Sequence, residues 1–127
     1  MSKTKNFSVE TDRKLQCTCG HPKCNKKVVN QETLDKVQLI RDDLGLPIVI
    51  TSGGRCPYHP DEATKDEPGD HQLGYAVDVR YKGELHRNKI LVLAGRHGAT
   101  RVAVGRSFIH LAWTPTQRKD VPTWSYS

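Results

Sequence analysis

Apolar residues recur along the chain at two different spacings, one typical of helices and one of strands. The first helix is marked by four apolar residues spaced three, three and four apart: Leu34, Val37, Ile40 and Leu44. Asn30 can cap its start, and Gly45 with Pro47 ends it. A second helix is predicted over residues 85–94, ending near Gly95, although the β-branched residues within it leave a strand as the alternative.

The strands are predicted over residues 48–51, 75–81, 101–104 and 108–113. The first is a short buried run, and the last two are joined by a turn at Gly105 and Arg106. In the second, Val77 and Val79 lie on one face and Asp78 lies on the other. Residues 57–74 form a long polar loop, and long loops in compact domains are usually functional. Helices and antiparallel strands mixed in this way predict an α+β domain.

A length of 127 residues favours one domain. We expect a cysteine-containing segment over 1–29, a core over 30–115, and an irregular tail over 116–127 that covers a sheet edge. The net charge of +6 is scattered, which suits an anionic partner but is also explained by solubility alone. Nucleic acid is not the expected partner, because Trp113, Trp124 and the tyrosines are not interleaved with basic residues as a stacking platform.

The first 14 residues contain no apolar run of the length that a signal peptide needs, and no transmembrane run follows. We therefore expect synthesis in the cytoplasm and no membrane partner. Any work outside the cell would then require lysis, a carrier particle or a dedicated exporter.

A candidate metal site lies where the long loop meets the second strand. His71 is on the loop and Asp78 points from the strand, while His110 lies on the last strand and reaches Asp78 if the two strands pair. Two imidazoles and one carboxylate leave zinc one open position for water, which is the pattern of a catalytic site. Taken singly, each residue is more often a solvated side chain.

Three motifs resemble one known family. The first comprises His71, Gly74, Ala76 and Asp78, and matches an H-x-x-G-x-A-x-D signature. The second, residues 51–57, looks like a T-S-G-x-R-C-P segment, and the third, residues 108–110, looks like an F-x-H ending. In order and separation they resemble the zinc D-alanyl-D-alanine carboxypeptidases and phage L-alanyl-D-glutamate endopeptidases, which share a fold with the hedgehog signalling domain.

The resemblance implies a small antiparallel sheet with helices packed on one side, and one zinc ion held by His71, Asp78 and His110. It also implies that Arg55, with Ser52, binds substrate, since the planar guanidinium can take the carboxylate of a peptide stem through two hydrogen bonds. The alternative for Arg55 is a structural ion pair that holds the loop. The implied substrate is bacterial peptidoglycan, cut by a carboxypeptidase or by an endolysin from a bacteriophage, after lysis or from the virion.

The chain departs from the family pattern in two places. Gly69 stands where the family commonly has Ser, two residues before the first His. The family's acidic general base is also absent, because Ser107 and Ala112 occupy its two usual positions. Four of the acids on the loop are candidate substitutes: Glu62, Asp66, Glu67 and Asp70. Asp70 and Glu67 are our candidates, and the alternative is an inactive relative that serves as a virion structural protein or a wall-binding protein.

Four cysteines form a second candidate group: Cys17, Cys19, Cys24 and Cys56. With His21 or Cys56, the first cysteines would build a second, structural zinc site, although C-x-C-x4-C is not a strong zinc spacing. Free buried thiols and disulfides are the alternatives. Cys56 is the residue that would tether the N-terminal segment to the turn that carries Arg55.

Overall fold

The structure is a computed structural model that describes residues 2–65, 68–115 and 123–125, the last three by their backbone. In chain order the elements are a 3-10 helix at Arg13–Leu15, α1 at Gln31–Leu44, β1 at Ile50–Ser52, β2 at Ala76–Arg80, α2 at Gly83–Arg96, β3 at Arg101–Val104, β4 at Phe108–Ala112 and β5 at Thr123–Ser125. The predicted α+β class is confirmed.

These five strands form one sheet in the order β1-β2-β4-β3-β5. The first four pair antiparallel, and β5 pairs parallel to β3 at the sheet edge. The central pair is β2 with β4, and its register places Asp78 directly opposite His110. The convergence predicted for these two residues is therefore confirmed.

Alternation along β2 and β4 separates the core from the site. Val77, Val79, Ile109 and Leu111 are fully buried and join the apolar face of α1 and the buried residues of α2 in one cluster. Asp78 and His110 project to the other face, as the two-residue period of a strand requires. That face is also covered, since Asp78 and His110 are each less than a tenth exposed.

The helices agree with their predicted positions but differ at their ends. Gly45 ends α1 in the left-handed conformation with φ of 72°, as its position predicts. Asn30 is the N-cap residue, yet its side chain makes no cap and instead donates to the Leu73 carbonyl. The second helix is confirmed against the strand alternative, but it runs through Gly95 to Arg96 rather than ending near the glycine.

Two predicted strand regions need correction. The first strand begins at Ile50 rather than Ile48. Val49 is half exposed between the buried Ile48 and Ile50, because only alternate residues of this segment face the core. The tail predicted as irregular includes a strand at 123–125, whose pairing with β3 covers that edge. No local pattern in the tail indicates this strand, since parallel pairing with a distant segment creates it.

Within the described ranges, no helix is long and apolar enough to span a membrane.

Candidate metal centre

Three donor atoms converge on the buried face of the β2–β4 pair. His71 Nε2 lies 3.1 Å from Asp78 Oδ1, and His110 Nδ1 lies 3.1 Å from the same oxygen and 3.2 Å from His71 Nε2. A tetrahedral zinc ion with nitrogen and oxygen ligands at about 2.0 to 2.1 Å separates its donor atoms by about 3.3 Å. The predicted residues therefore fit a zinc ion as a nearly equilateral triangle, with one coordination position left over.

The opposite nitrogen of each imidazole ring is held by a neighbour. His71 Nδ1 lies 2.7 Å from the Gly53 carbonyl, which can only accept, so this nitrogen carries the proton. His110 Nε2 lies 3.0 Å from Asp70 Oδ2, where it donates in the same way. With these protons fixed on the outer side, the nitrogens that face the triangle are the ones left to bind metal, and such outer contacts are the usual support of zinc-bound histidines.

Asp70, predicted as a candidate base, lies behind His110. Arg101 Nη1 is 2.8 Å from both of its carboxylate oxygens, and the Thr114 hydroxyl donates to Oδ1 at 2.6 Å. Burial raises the pKa of Asp70, but hydrogen bonds from His110 and Thr114 and the charges of His110 and Arg101 hold the pKa well below its usual range. Its carboxylate is thus ionised and has hydrogen-bond partners on both oxygens. It faces His110 Nε2, the ring nitrogen that points away from the triangle.

Asp78 is held as a carboxylate by the same two rings. Burial acts to raise its pKa, yet hydrogen bonds from His110 and His71 hold the pKa well below the ordinary value. Its second oxygen, Oδ2, lies 3.5 Å from Arg55 Nη2. Asp78 therefore bridges the three-atom cluster to the loop after β1.

Arg55 lies among three acids. Besides Asp78, its guanidinium approaches Glu62 Oε2 at 3.6 Å and Asp61 Oδ2 at 3.8 Å. The alternative of a structural ion pair is thus present in the structure, and the side chain also stands directly beside the metal triangle. Ser52, the other predicted substrate residue, pairs with Asp78 across β1 and β2 and is partly exposed.

The loop acids separate into different environments. The Glu62 side chain is fully buried and pairs with Lys65 at 2.9 Å, whereas Asp66 and Glu67 lie outside the described residues. A Cβ at Gly69 would come within 2.7 Å of Lys65 Nζ and 2.9 Å of Glu62 Oε1. A side chain at this position would therefore require the ends of Lys65 and Glu62 to shift.

His59 is a neighbour that the sequence interpretation missed. Burial, followed by the charge of Arg55, lowers its pKa, and His71 acts on it in the same direction. Its Nδ1 accepts the backbone N–H of Asp61 at 3.0 Å, so the neutral ring carries its proton on Nε2 and is a hydrogen-bond donor there. No spacing signal in residues 57–74 distinguishes this histidine from a solvated one.

Comparison with known proteins agrees with this geometry. The sequence profile of the family described as Peptidase M15 matches residues 5–112. The chain belongs to the peptidase M15 family. The match contains all three motifs, so the family predicted from them is confirmed. A search of the curated proteins found none that matches this M15 chain.

Proposed function

We propose that this M15 family member is a zinc-dependent peptidase that hydrolyses the peptide stems of bacterial peptidoglycan. The observation that carries the proposal is the triangle of His71 Nε2, Asp78 Oδ1 and His110 Nδ1, with sides of 3.1 to 3.2 Å. Two neutral rings and one carboxylate leave a bound zinc ion positively charged and open at one position. A catalytic site needs this open position, whereas a structural site is closed.

Bound zinc would polarise a substrate carbonyl and supply an acidified water. The chain's own residues prepare that chemistry by fixing the ligand atoms. Gly53 and Asp70 hold the two imidazoles, so neither ring must reorient when substrate arrives. Arg55 places positive charge beside Asp78, where it can attract either the carboxylate of a stem peptide or the oxygen that becomes negative during attack.

We assign the general base to the loop that precedes His71. Of the two candidates, Asp70 and Glu67, the contacts of Asp70 suit it to hold His110 rather than to accept a proton from water. This leaves Glu67 as our preferred base, with Glu62 and Asp66 as the other acids of the same loop. The loop reaches the site through Asp70 and His71, which lie three and four residues after Glu67 in the chain.

A second candidate function has its own observation. Ser107 is exposed and Ala112 is fully buried, so neither of the family's usual base positions offers a proton acceptor. A relative that keeps its metal and no longer hydrolyses would serve as a virion structural protein or a wall-binding protein. Either function suits a phage protein that reaches the wall after lysis or with the virion.

The deciding experiment follows the release of new amino groups from purified peptidoglycan. Four samples are compared: the zinc-loaded protein, the chelated protein, the chelated protein reloaded with zinc, and His110→Ala. His86→Ala is the matched control, because His86 lies on α2 outside the site. Release only by the loaded protein, the reloaded protein and the control supports the peptidase. Stoichiometric zinc without release by any sample would favour the wall-binding relative.

The scissile bond needs a second substrate set. Synthetic stem peptides ending in a free carboxylate are compared with the same peptides ending in an amide. A carboxypeptidase would cleave the first set alone, because the terminal carboxylate is part of its recognition. Equal cleavage within both sets at an internal bond would instead indicate an endopeptidase of the endolysin type.

A further inference from the structure

Four cysteine sulfurs meet where the N-terminal segment crosses the turn after β1. The Sγ atoms of Cys17, Cys19, Cys24 and Cys56 all lie within 4.8 Å of one another, and those of Cys19 and Cys56 are 3.5 Å apart. All four are free thiols, and Cys17 and Cys56 are buried. Three come from one short segment, and the fourth, Cys56, lies 32 residues beyond Cys24 in the sequence.

We propose that these four cysteines hold a structural zinc ion, separate from the candidate catalytic ion. Zinc binds thiolate sulfur at about 2.3 Å, so four sulfurs around one tetrahedral ion lie about 3.8 Å apart. The Cys19–Cys56 separation of 3.5 Å and the upper bound of 4.8 Å on every pair lie on either side of this value. Four protein ligands also close the coordination shell, which is the arrangement of a structural site and excludes substrate.

Backbone amides support the thiolates that such an ion requires. The Lys26 N–H donates to Cys24 Sγ at 3.3 Å, two residues along the chain. The backbone N–H groups of Cys19, His21 and Tyr58 likewise approach the sulfurs of Cys17, Cys19 and Cys56, each two residues earlier in the chain. Every sulfur of the cluster therefore has an amide dipole directed at it, and such dipoles stabilise negative sulfur.

Other arrangements of the four sulfurs fit less well. The Cys19–Cys56 separation of 3.5 Å exceeds a disulfide bond of about 2.05 Å, and two disulfides would have to divide a cluster in which all four atoms are mutual neighbours. An iron–sulfur cluster places several inorganic atoms between its cysteines and needs a wider cage. His21, the alternative ligand, instead stacks on Tyr58 with ring centroids 4.5 Å apart.

The site would fix the turn that supports the catalytic ligands. Cys56 directly follows Arg55, and Gly53 supplies the carbonyl that holds His71. The Gly54 N–H donates to the Leu15 carbonyl, and Cys17 N–H donates to the Lys27 carbonyl. A metal at the cysteines would thus add a cross-link between the N-terminal segment and this turn, beside these backbone hydrogen bonds.

Cobalt substitution of the whole protein tests the proposal without relying on activity. Cobalt(II) bound by thiolates gives intense sulfur-to-metal charge-transfer absorption in the near ultraviolet, which a site of two histidines and one aspartate does not give. We expect this absorption in the wild type and undiminished in His110→Ala. Cys19→Ser with Cys24→Ser should abolish it, while Thr18→Ser is the matched control within the same loop.

Metal content separates this proposal from the proposed function. About two zinc ions per chain are expected in the wild type and about one in His110→Ala, the remaining ion being released by a thiol-blocking mercurial. Absence of charge-transfer absorption in reduced, folded wild type would overturn the cysteine site, as would disulfide-linked peptides in mass spectra of protein prepared under reducing conditions. Loss of peptidase activity with intact absorption would contradict only the proposed function.

Discussion

His110 donates from Nε2 to Asp70 Oδ2 across 3.0 Å, while its Nδ1 faces the shared oxygen of Asp78 at 3.1 Å. The ring is therefore held between two carboxylates with different tasks. Asp78 belongs to the donor triangle, and Asp70 fixes which nitrogen is free to bind metal. Asp70 is adjacent to His71 in the sequence, but in the fold it supports His110.

Replacing Asp70 by Asn should weaken zinc binding at the His71, Asp78 and His110 site. The amide keeps the shape of the side chain but loses the charge that favours a proton on His110 Nε2, and loss of such an outer partner costs about 10- to 100-fold in affinity. Competition with a chelator of known affinity measures this. Asp35→Asn, on the exposed face of α1, is the control, and equal affinity in the two variants would contradict the role given to Asp70.

Zinc should stabilise the protein more as the pH rises through the pKa of His110. Burial lowers that pKa, but the hydrogen bonds that His110 donates to Asp70 and Asp78 outweigh burial and raise the pKa above the ordinary value. In the metal-free protein this contributes stability that is complete below the unfolded pKa of about 6.5 and is lost as the pH rises through the folded pKa. The proton and zinc compete for His110 Nδ1, so protonation lowers the affinity for zinc at low pH.

Thermal unfolding of loaded and metal-free protein across this pH range gives the test. The difference in Tm between the two should widen toward higher pH and narrow toward lower pH. Measured in the Cys19→Ser and Cys24→Ser double variant, which lacks the proposed cysteine site, His110→Ala should remove most of the pH dependence of the difference. A constant difference in the wild type would show that His110 does not take up the competing proton.

Gly54→Ala should destabilise the fold strongly, and Gly95→Ala should stabilise it. A Cβ at Gly54 would lie 2.0 Å from the Lys27 carbonyl oxygen, so two backbone segments would have to separate, at a cost of about 3 kcal/mol or more. Gly95 lies inside α2 with nothing within 4 Å of its Cβ position, so alanine gains about 0.5 to 1 kcal/mol from helix propensity. Urea unfolding measures whether the free energy of unfolding falls in Gly54→Ala and rises in Gly95→Ala.

Arg55→Lys should distinguish substrate binding from loop support. Lysine keeps the charge near Asp61, Glu62 and Asp78 but loses the planar fork that suits a carboxylate. If Arg55 binds the stem carboxylate, we expect KM to rise about tenfold or more for peptides with a free terminus and to change little for amidated ones. A matched fall in kcat for both substrates, together with a lower Tm, would assign Arg55 to loop support alone.

The sequence predicts well where a short spacing determines the outcome. The helical period of Leu34 to Leu44 places α1, and the alternation in β2 and β4 places Asp78 and His110 on one face. Contacts between distant segments are different. The Gly53 carbonyl on His71, Asp70 behind His110 and the parallel β5 depend on how separate pieces of chain pack, and no local pattern encodes them.

The pairing of Asp78 with His110 also makes the metal a check on strand alignment. Side chains alternate between the faces of a strand, so a slip of one residue between β2 and β4 would turn one of the two ligands into the apolar cluster. Chains paired in the wrong register would bind zinc poorly. Zinc binding would stabilise the correctly paired chains and so increase their share of the population. Zinc would then select the native alignment during folding, before any substrate is met.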